Sequence, residues 1–170
     1  MKDKEKIFLN LISSYHDHIY RVIWSFTSSK SDAEDLYQGV LLKVWNNIGR
    51  FKHESKTSTW LYRVVMNTCI DYNRKEKKEY SMLRNQIETL NIAGEIDIEL
   101  EYIESEKIAI LHQCIQSLST IDKTLITLFL EDLKYSEIGK IVGISERHVA
   151  VKISRIKKKI TKMIDKDGDT

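Results

Sequence analysis

The chain has 170 residues and a mass of 20.0 kDa, room for one domain or for two small ones with modest cores. A hydrophobic content of 42% excludes disorder throughout, and a formal net charge of only +2 excludes a uniformly basic protein, so any affinity for nucleic acid must come from how the charge is distributed. Proline is absent and there are only 6 glycines, so little forces a helical pattern to break and an all-α fold is expected.

In chain order, the first helix is marked by Ile12, Ile19, Val22, Ile23 and Phe26, which recur at three- and four-residue steps up to the polar stretch from Thr27 to Lys30. Ser31 stands three residues before Glu34, a capping-box spacing that predicts the start of a second helix. That helix carries two neighbouring apolar stripes: Leu36, Val40 and Val44, and beside them Tyr37, Leu41, Trp45 and Ile48. Two stripes need two covers. The pattern alone leaves open whether the second is buried in the bundle or waits for another protein.

A third helix is expected from Thr57 or Ser58 to about Lys78, with Leu61, Val64, Val65, Thr68, Cys69 and Tyr72 toward the core and Arg63, Asn67, Asp71 and Arg74 outside. Phe51, Trp60 and Tyr62 lie at or near the loop before it. Taken singly these aromatics could plug the end of the bundle. With Lys52, Lys56, Arg63, Arg74, Lys75, Lys77 and Lys78 around the same surface, they resemble the stacking and phosphate-binding groups that suit unstacked bases.

Charge then reverses. Between Ser81 and Glu106 seven acids oppose the single base Arg84, a net of minus six, and Gly94 adds a flexible point, so the segment reads as an acidic linker passing into helix. The next helical stripe is Leu100, Ile103, Ile108, Leu111, Ile115 and Leu118. Ser119 is placed to cap a helix burying Leu125, Leu128 and Phe129, and Ser136 to cap one burying Ile138, Ile141 and Val142. Gly139 suits a close helix approach and Gly143 a tight turn, after which Ser145 caps a last helix with the buried stripe Val149, Ile153, Ile156 and Ile160. The outward side then holds Arg147, His148, Val151, Lys152 and Arg155. From Ser145 to Ile164 seven bases oppose Glu146, a net of plus six, so the pattern from Tyr135 to Lys159 reads as a DNA-binding helix-turn-helix rather than as a merely solvated basic helix.

Several other chemistries find no support. Cys69 and Cys114 sit at apolar helical positions without CxxC or Cys/His spacing, which predicts buried free thiols and no metal site. His16 and His18, two apart, point to different helix faces, and no nucleophile motif or glycine-rich phosphate loop occurs, so neither catalytic residues nor a cofactor are expected. The N-terminal MKDKEKIFLN lacks the apolar centre of a secretion signal, and the expected location is the cytoplasm.

The segments DAEDLYQGVLLKVWNNIGRF (32–51), STWLYRVVMNTCIDYNRK (58–75) and the stretch from Leu118 to Ile160 resemble, in order, regions 2.2, 2.3 to 2.4, and 4.2 of bacterial sigma factors of the extracytoplasmic-function group, within the sigma-seventy family. The resemblance implies two small helical domains, residues 1–78 and 99–170, joined by a linker at 79–98 and directing promoter-specific transcription initiation. It implies that Asp35, Leu36, Gln38, Leu41, Leu42 and Trp45 dock on core RNA polymerase, at the beta-prime coiled coil, with the beta subunit also a partner. Phe51, Lys52, Lys56, Trp60, Arg63, Asn67 and Arg74 would meet promoter DNA at the minus-ten element, where the loop 51–57 accepts a flipped base. Flipping costs a few kcal/mol, which stacking at about 1 to 3 kcal/mol per base offsets. Arg147, His148, Lys152, Arg155, Lys158 and Lys159 would meet the minus-thirty-five element. An anti-sigma factor is a further candidate partner. The chain departs from the family at Gly39, where an acidic residue is common, and at His148 and Ala150 in the recognition helix, so no minus-thirty-five sequence can be borrowed. The other reading of the helix-turn-helix is a stand-alone transcriptional regulator, which leaves the surface from Asp32 to Trp45 unexplained.

Overall fold

A computed structural model describes residues 2–51, 55–87 and 106–168; the part of the acidic linker reading from residue 88 on, with Leu100 and Ile103, lies outside the described residues. Those residues form seven α-helices: α1 (Lys2–Trp24), α2 (Lys30–Ile48), α3 (Thr57–Ile87), α4 (Glu106–Gln116), α5 (Thr120–Leu130), α6 (Tyr135–Val142) and α7 (Glu146–Gly168). The expected all-α class holds. Helices α1 to α3 pack as one module and α4 to α7 as a second.

The stripes explain the packing. Ile19, Val22, Ile23 and Phe26 from the α1 side meet Leu36, Val40 and Val44 of α2 and Leu61, Val65 and Cys69 of α3, all buried. In the second module Leu125, Leu128 and Ile138 close against Val149, Ile153, Ile156 and Ile160. Both cysteines are buried, and burial pushes the Cys69 thiol up, away from the reactive thiolate.

Local signals were partly misread. Ser29, not Ser31, caps α2: its hydroxyl accepts the Asp32 N–H at 3.1 Å and donates to the Asp32 carboxylate at 2.6 Å, which draws the helix start two residues earlier. Ser136 lies inside α6, whose N-cap is Lys134, and Glu137 accepts the Lys134 N–H at 3.2 Å. Helix α3 continues to Ile87 rather than stopping near Lys78, because the polar residues after Lys78 still favour helix and no proline or glycine interrupts them. Ile108, expected in the buried stripe, is exposed on α4. Ser119 and Ser145 do cap α5 and α7, through the Asp122 and His148 N–H groups.

The turn between α6 and α7 needs its two glycines for different reasons. Gly143 holds φ at 83°, left-handed backbone that costs a side-chain-bearing residue energy. A Cβ on Gly139 would stand 2.6 Å from the Ile144 carbonyl oxygen, so only hydrogen fits there.

The two modules also lie against each other. Helix α3 packs on α6 and α5, and the buried side chains of both modules form one continuous cluster. This burial takes in Tyr62 and Met66, which the periodicity of α3 alone did not assign to a core.

Candidate nucleic-acid and polymerase interface

Three surfaces carry the residues singled out from sequence. On α2, Asp35, Gln38 and Leu42 form an exposed strip at helical spacing, Leu42 being 63% exposed. Leu41 is half-buried. Leu36 turns inward and is only 5% exposed, so it supports the strip from beneath rather than facing a partner. Trp45 is half-buried because α1 crosses it: the Phe8 ring meets it edge-on at 5.2 Å and the Lys4 ammonium lies 4.4 Å from its centroid. The second stripe of α2 is therefore partly covered by α1, Tyr37 lying against His16 and Tyr20, while the exposed Leu42 lies beside it.

The second surface is a cleft of about 690 Å³ at the start of α3. Phe51 and Trp60 form its aromatic wall, their centroids 5.1 Å apart and their planes inclined at 34°, and both are half-buried. Arg50, Lys56 and Arg63 add cations on the same side. Lys52 lies outside the described residues. The opposite wall comes from the helix-turn-helix: Lys134, Ser136, Glu137 and Lys140 of α6. No pattern local to either segment could have shown that these residues face each other.

Two cations of the cleft are already engaged across it. Arg63 donates through Nε at 3.1 Å, and through Nη2, to the Lys140 carbonyl oxygen, and Lys56 donates to the Glu137 carboxylate at 3.1 Å. That hydrogen bond, then the one from the Lys134 N–H, holds the Glu137 carboxyl below the usual carboxylate range. Farther along α3, Asn67 and Arg74 are exposed, and Arg74 pairs with Asp71 at 3.1 Å.

Other polar contacts fasten the modules. Arg21 grips Glu131 with two hydrogen bonds of 2.8 Å, His18 meets the same carboxylate at 2.6 Å, and the Glu131 side chain is only 3% exposed. Carbonyls at the end of α1 and in the turn after it are satisfied from α4: His112 donates to Trp24 at 3.0 Å, and Gln116 to Ser25 and Thr27 at 3.0 and 2.9 Å. Lys123, also buried, donates to Gln116 Oε1 at 2.9 Å and so fixes the orientation of that amide. Sequence reading missed this group; the one available signal was polar side chains at the spacing of a buried stripe.

The third surface is the outer side of α7. Arg147, His148, Arg155, Lys158 and Lys159 are exposed and Lys152 is partly so, while the stripe from Val149 to Ile160 anchors the helix from below. Lys157 is drawn aside by the Phe129 ring, 3.9 Å away. The described residues contain no helix long and apolar enough to cross a membrane and no cluster of three or more groups suited to a metal ion.

Comparison with known proteins matches residues 11–79 to Sigma-70 region 2 and residues 108–160 to Sigma-70, region 4. The RNA polymerase sigma factor SigV of Bacillus subtilis is 30% identical over 91% of this chain and 91% of its own length, and the ECF RNA polymerase sigma factor SigW of the same organism is 27% identical over 96% and 91%. Among solved structures, CnrH in complex with the cytosolic domain of CnrY superposes with a TM-score of 0.70 at 17% identity, covering 96% of this chain and 90% of that one. The Bartonella quintana sigma factor RpoE, in complex with the anti-sigma factor NepR, gives 0.63 at 18%, covering 97% and 98%. At those identities the structures speak for the fold. With both conserved regions matched in order along most of its length, the chain belongs to the extracytoplasmic-function group of the sigma-70 family of RNA polymerase sigma factors.

Proposed function

We propose that the first module, residues 1–78, binds core RNA polymerase through the α2 strip of Asp35, Gln38, Leu41 and Leu42 and opens the minus-ten element, while the second, residues 99–170, reads the minus-thirty-five element with α7. The observation that carries this reading is the cleft beside α3, where a paired Phe51 and Trp60 are flanked by Arg50, Lys56 and Arg63. Flat rings between cations accept any base face while the cations take the backbone, which suits a base turned out of the duplex. The docking site on polymerase is the beta-prime coiled coil, with beta contacts along the path between the modules, and bond formation belongs to the polymerase. The working location is the cytoplasm, where core polymerase is found. An anti-sigma factor is a second partner; the fold shared with a sigma factor solved in complex with an anti-sigma factor supports this.

The test is reconstitution of the chain with core polymerase on a pool of genomic promoters, with 2-aminopurine along the non-template strand. Promoter-dependent transcripts are expected, with fluorescence rising at a base within the minus-ten element for the wild type and not for Trp60→Ala. Absence of transcripts across the pool would overturn the reading; transcripts with an unchanged signal in Trp60→Ala would overturn the assignment of the cleft.

A further inference from the structure

An exposed side chain on α7 is apolar. Val151 is 44% exposed in the middle of an otherwise polar surface, one turn after Arg147 and one turn before Arg155. Isolated apolar residues on a surface are ordinary, but this one is β-branched, which costs side-chain freedom in a helix, and its exposure returns little of that through burial. The residues around it decide what could cover it. Its neighbours at helical spacing, Arg147, His148 and Arg155, are all exposed and suited to base edges and phosphates. A small branched hydrocarbon in that company matches the single apolar feature of the major groove, the 5-methyl group of thymine.

We propose that Val151 is a specificity-determining residue that packs on a thymine methyl within the minus-thirty-five element. This rests on the reading of α7 as the minus-thirty-five helix and extends it to one base identity. Four residues of helix advance about 6 Å, so the thymine lies within about two base pairs of whatever Arg147 contacts, at roughly 3.4 Å per pair. The tight α6–α7 turn, closed by Gly143 N–H and Ile144 N–H on the Gly139 carbonyl at 2.8 and 3.1 Å, fixes how far this part of α7 projects. The methyl contact discriminates without a hydrogen bond.

The experiment uses the full chain assembled with core RNA polymerase. Duplex promoters are selected from a pool randomised in the upstream element, and each thymine of that element is then replaced singly by deoxyuridine, which removes only the methyl. Wild type should lose about fourfold in affinity at one position, the worth of burying one methyl group. Val151→Ser should bind the thymine and deoxyuridine duplexes equally, and Val151→Ile should keep the preference. Equal binding by wild type at every thymine, selection of an element without thymine, or an unchanged ratio in Val151→Ser would each overturn the proposal. Arg147→Ala separates the two levels: if it weakens binding while deoxyuridine has no effect, only the role of Val151 falls, and if it binds as tightly as wild type, the minus-thirty-five reading of α7 falls with it.

Discussion

Replacing Gly139 by alanine tests how closely the helix-turn-helix is built. In an open helix the change should stabilise by up to about 1 kcal/mol, because alanine leaves the unfolded backbone less freedom to lose. Here the new Cβ would stand 2.6 Å from the Ile144 carbonyl oxygen, a distance that real contacts do not show, and the obstructing atom is backbone rather than the end of a flexible chain. Ile144 would have to move, yet its N–H and that of Gly143 are both tied to the Gly139 carbonyl. Losing one of these bonds costs about 1 kcal/mol and the overpacking about 1 to 3, so after the helical gain a net loss of about 1 to 3 kcal/mol is expected. Urea unfolding followed by circular dichroism should show a lower midpoint at unchanged slope. Gly39→Ala is the matched control: nothing lies within 4 Å of its Cβ, and it should gain about 0.5 to 1 kcal/mol. A Gly139→Ala protein as stable as wild type would refute the packing argument.

Thr127→Val should stabilise by up to about 1 kcal/mol in thermal melts, since the buried Thr127 hydroxyl is the side-chain group found without a hydrogen-bond partner among the described residues; a loss of stability would mean that hydroxyl is satisfied. Glu131→Ala should part the modules, because Arg21 and His18 lose their common acceptor; small-angle scattering should show a larger radius of gyration, and an unchanged one would place the holding force elsewhere. Burial, partly opposed by the bond to the Trp24 carbonyl, lowers the His112 pKa, so the folded protein keeps it neutral where the unfolded chain protonates. Its contribution is complete above the ordinary value near 6.5 and declines as pH falls from there toward the folded value, so the stability difference between wild type and His112→Gln should narrow between about pH 7 and pH 5, and a difference independent of pH would sink this account. Arg63→Ala should weaken binding of a single-stranded minus-ten oligonucleotide and reduce the log-log salt slope by about 0.7; an unchanged slope would remove Arg63 from the phosphate contacts.

Most of the helical frame was legible because each buried stripe is set by residues three and four apart within one element. The stripe of Val149, Ile153, Ile156 and Ile160 and the roles of Gly139 and Gly143 needed nothing from the rest of the chain. The cap of α2 is misplaced at Ser31 because Ser28, Ser29 and Ser31 cluster there and the choice depends on backbone angles set by tertiary entry of the chain, Ser29 being extended at φ −135° and ψ 159°; the cap of α6 is misplaced at Ser136 because the true N-cap, Lys134, carries no capping side-chain signature. Less legible still were contacts between distant segments. Arg63 reads as an exposed cation from its own helix, and its carbonyl partner at Lys140 carries no side-chain signature at all. The same holds for Gln116, whose amide donors find the carbonyls of the turn after α1 only once two modules are in place.

The closed arrangement and the proposed DNA contacts draw on the same side chains, and the chemistry of each contact decides how easily one replaces the other. Lys56 is largely exposed and its pair with Glu137 is a surface pair, worth between about 0 and 1 kcal/mol. Arg63 is exposed as well, and a phosphate offers it two charged oxygens in place of one neutral carbonyl. Under the proposed function these two cations would turn to phosphate when a nucleic-acid strand enters the cleft, leaving the Glu137 carboxylate and the Lys140 carbonyl to water. The contacts on the α1 side behave differently. Glu131 is desolvated, and Gln116 and His112 cap carbonyls that otherwise face water, so separation there must be compensated by hydration and by whatever surface takes up Tyr62 and Met66. On that reading the cleft is the edge at which the modules would part first, and the Glu131 and Gln116 contacts set the cost of parting them. Under the proposed function, a partner that engages the α2 strip alone leaves that side untouched, so releasing α5 and α6 from α3 also needs a contact on the second module.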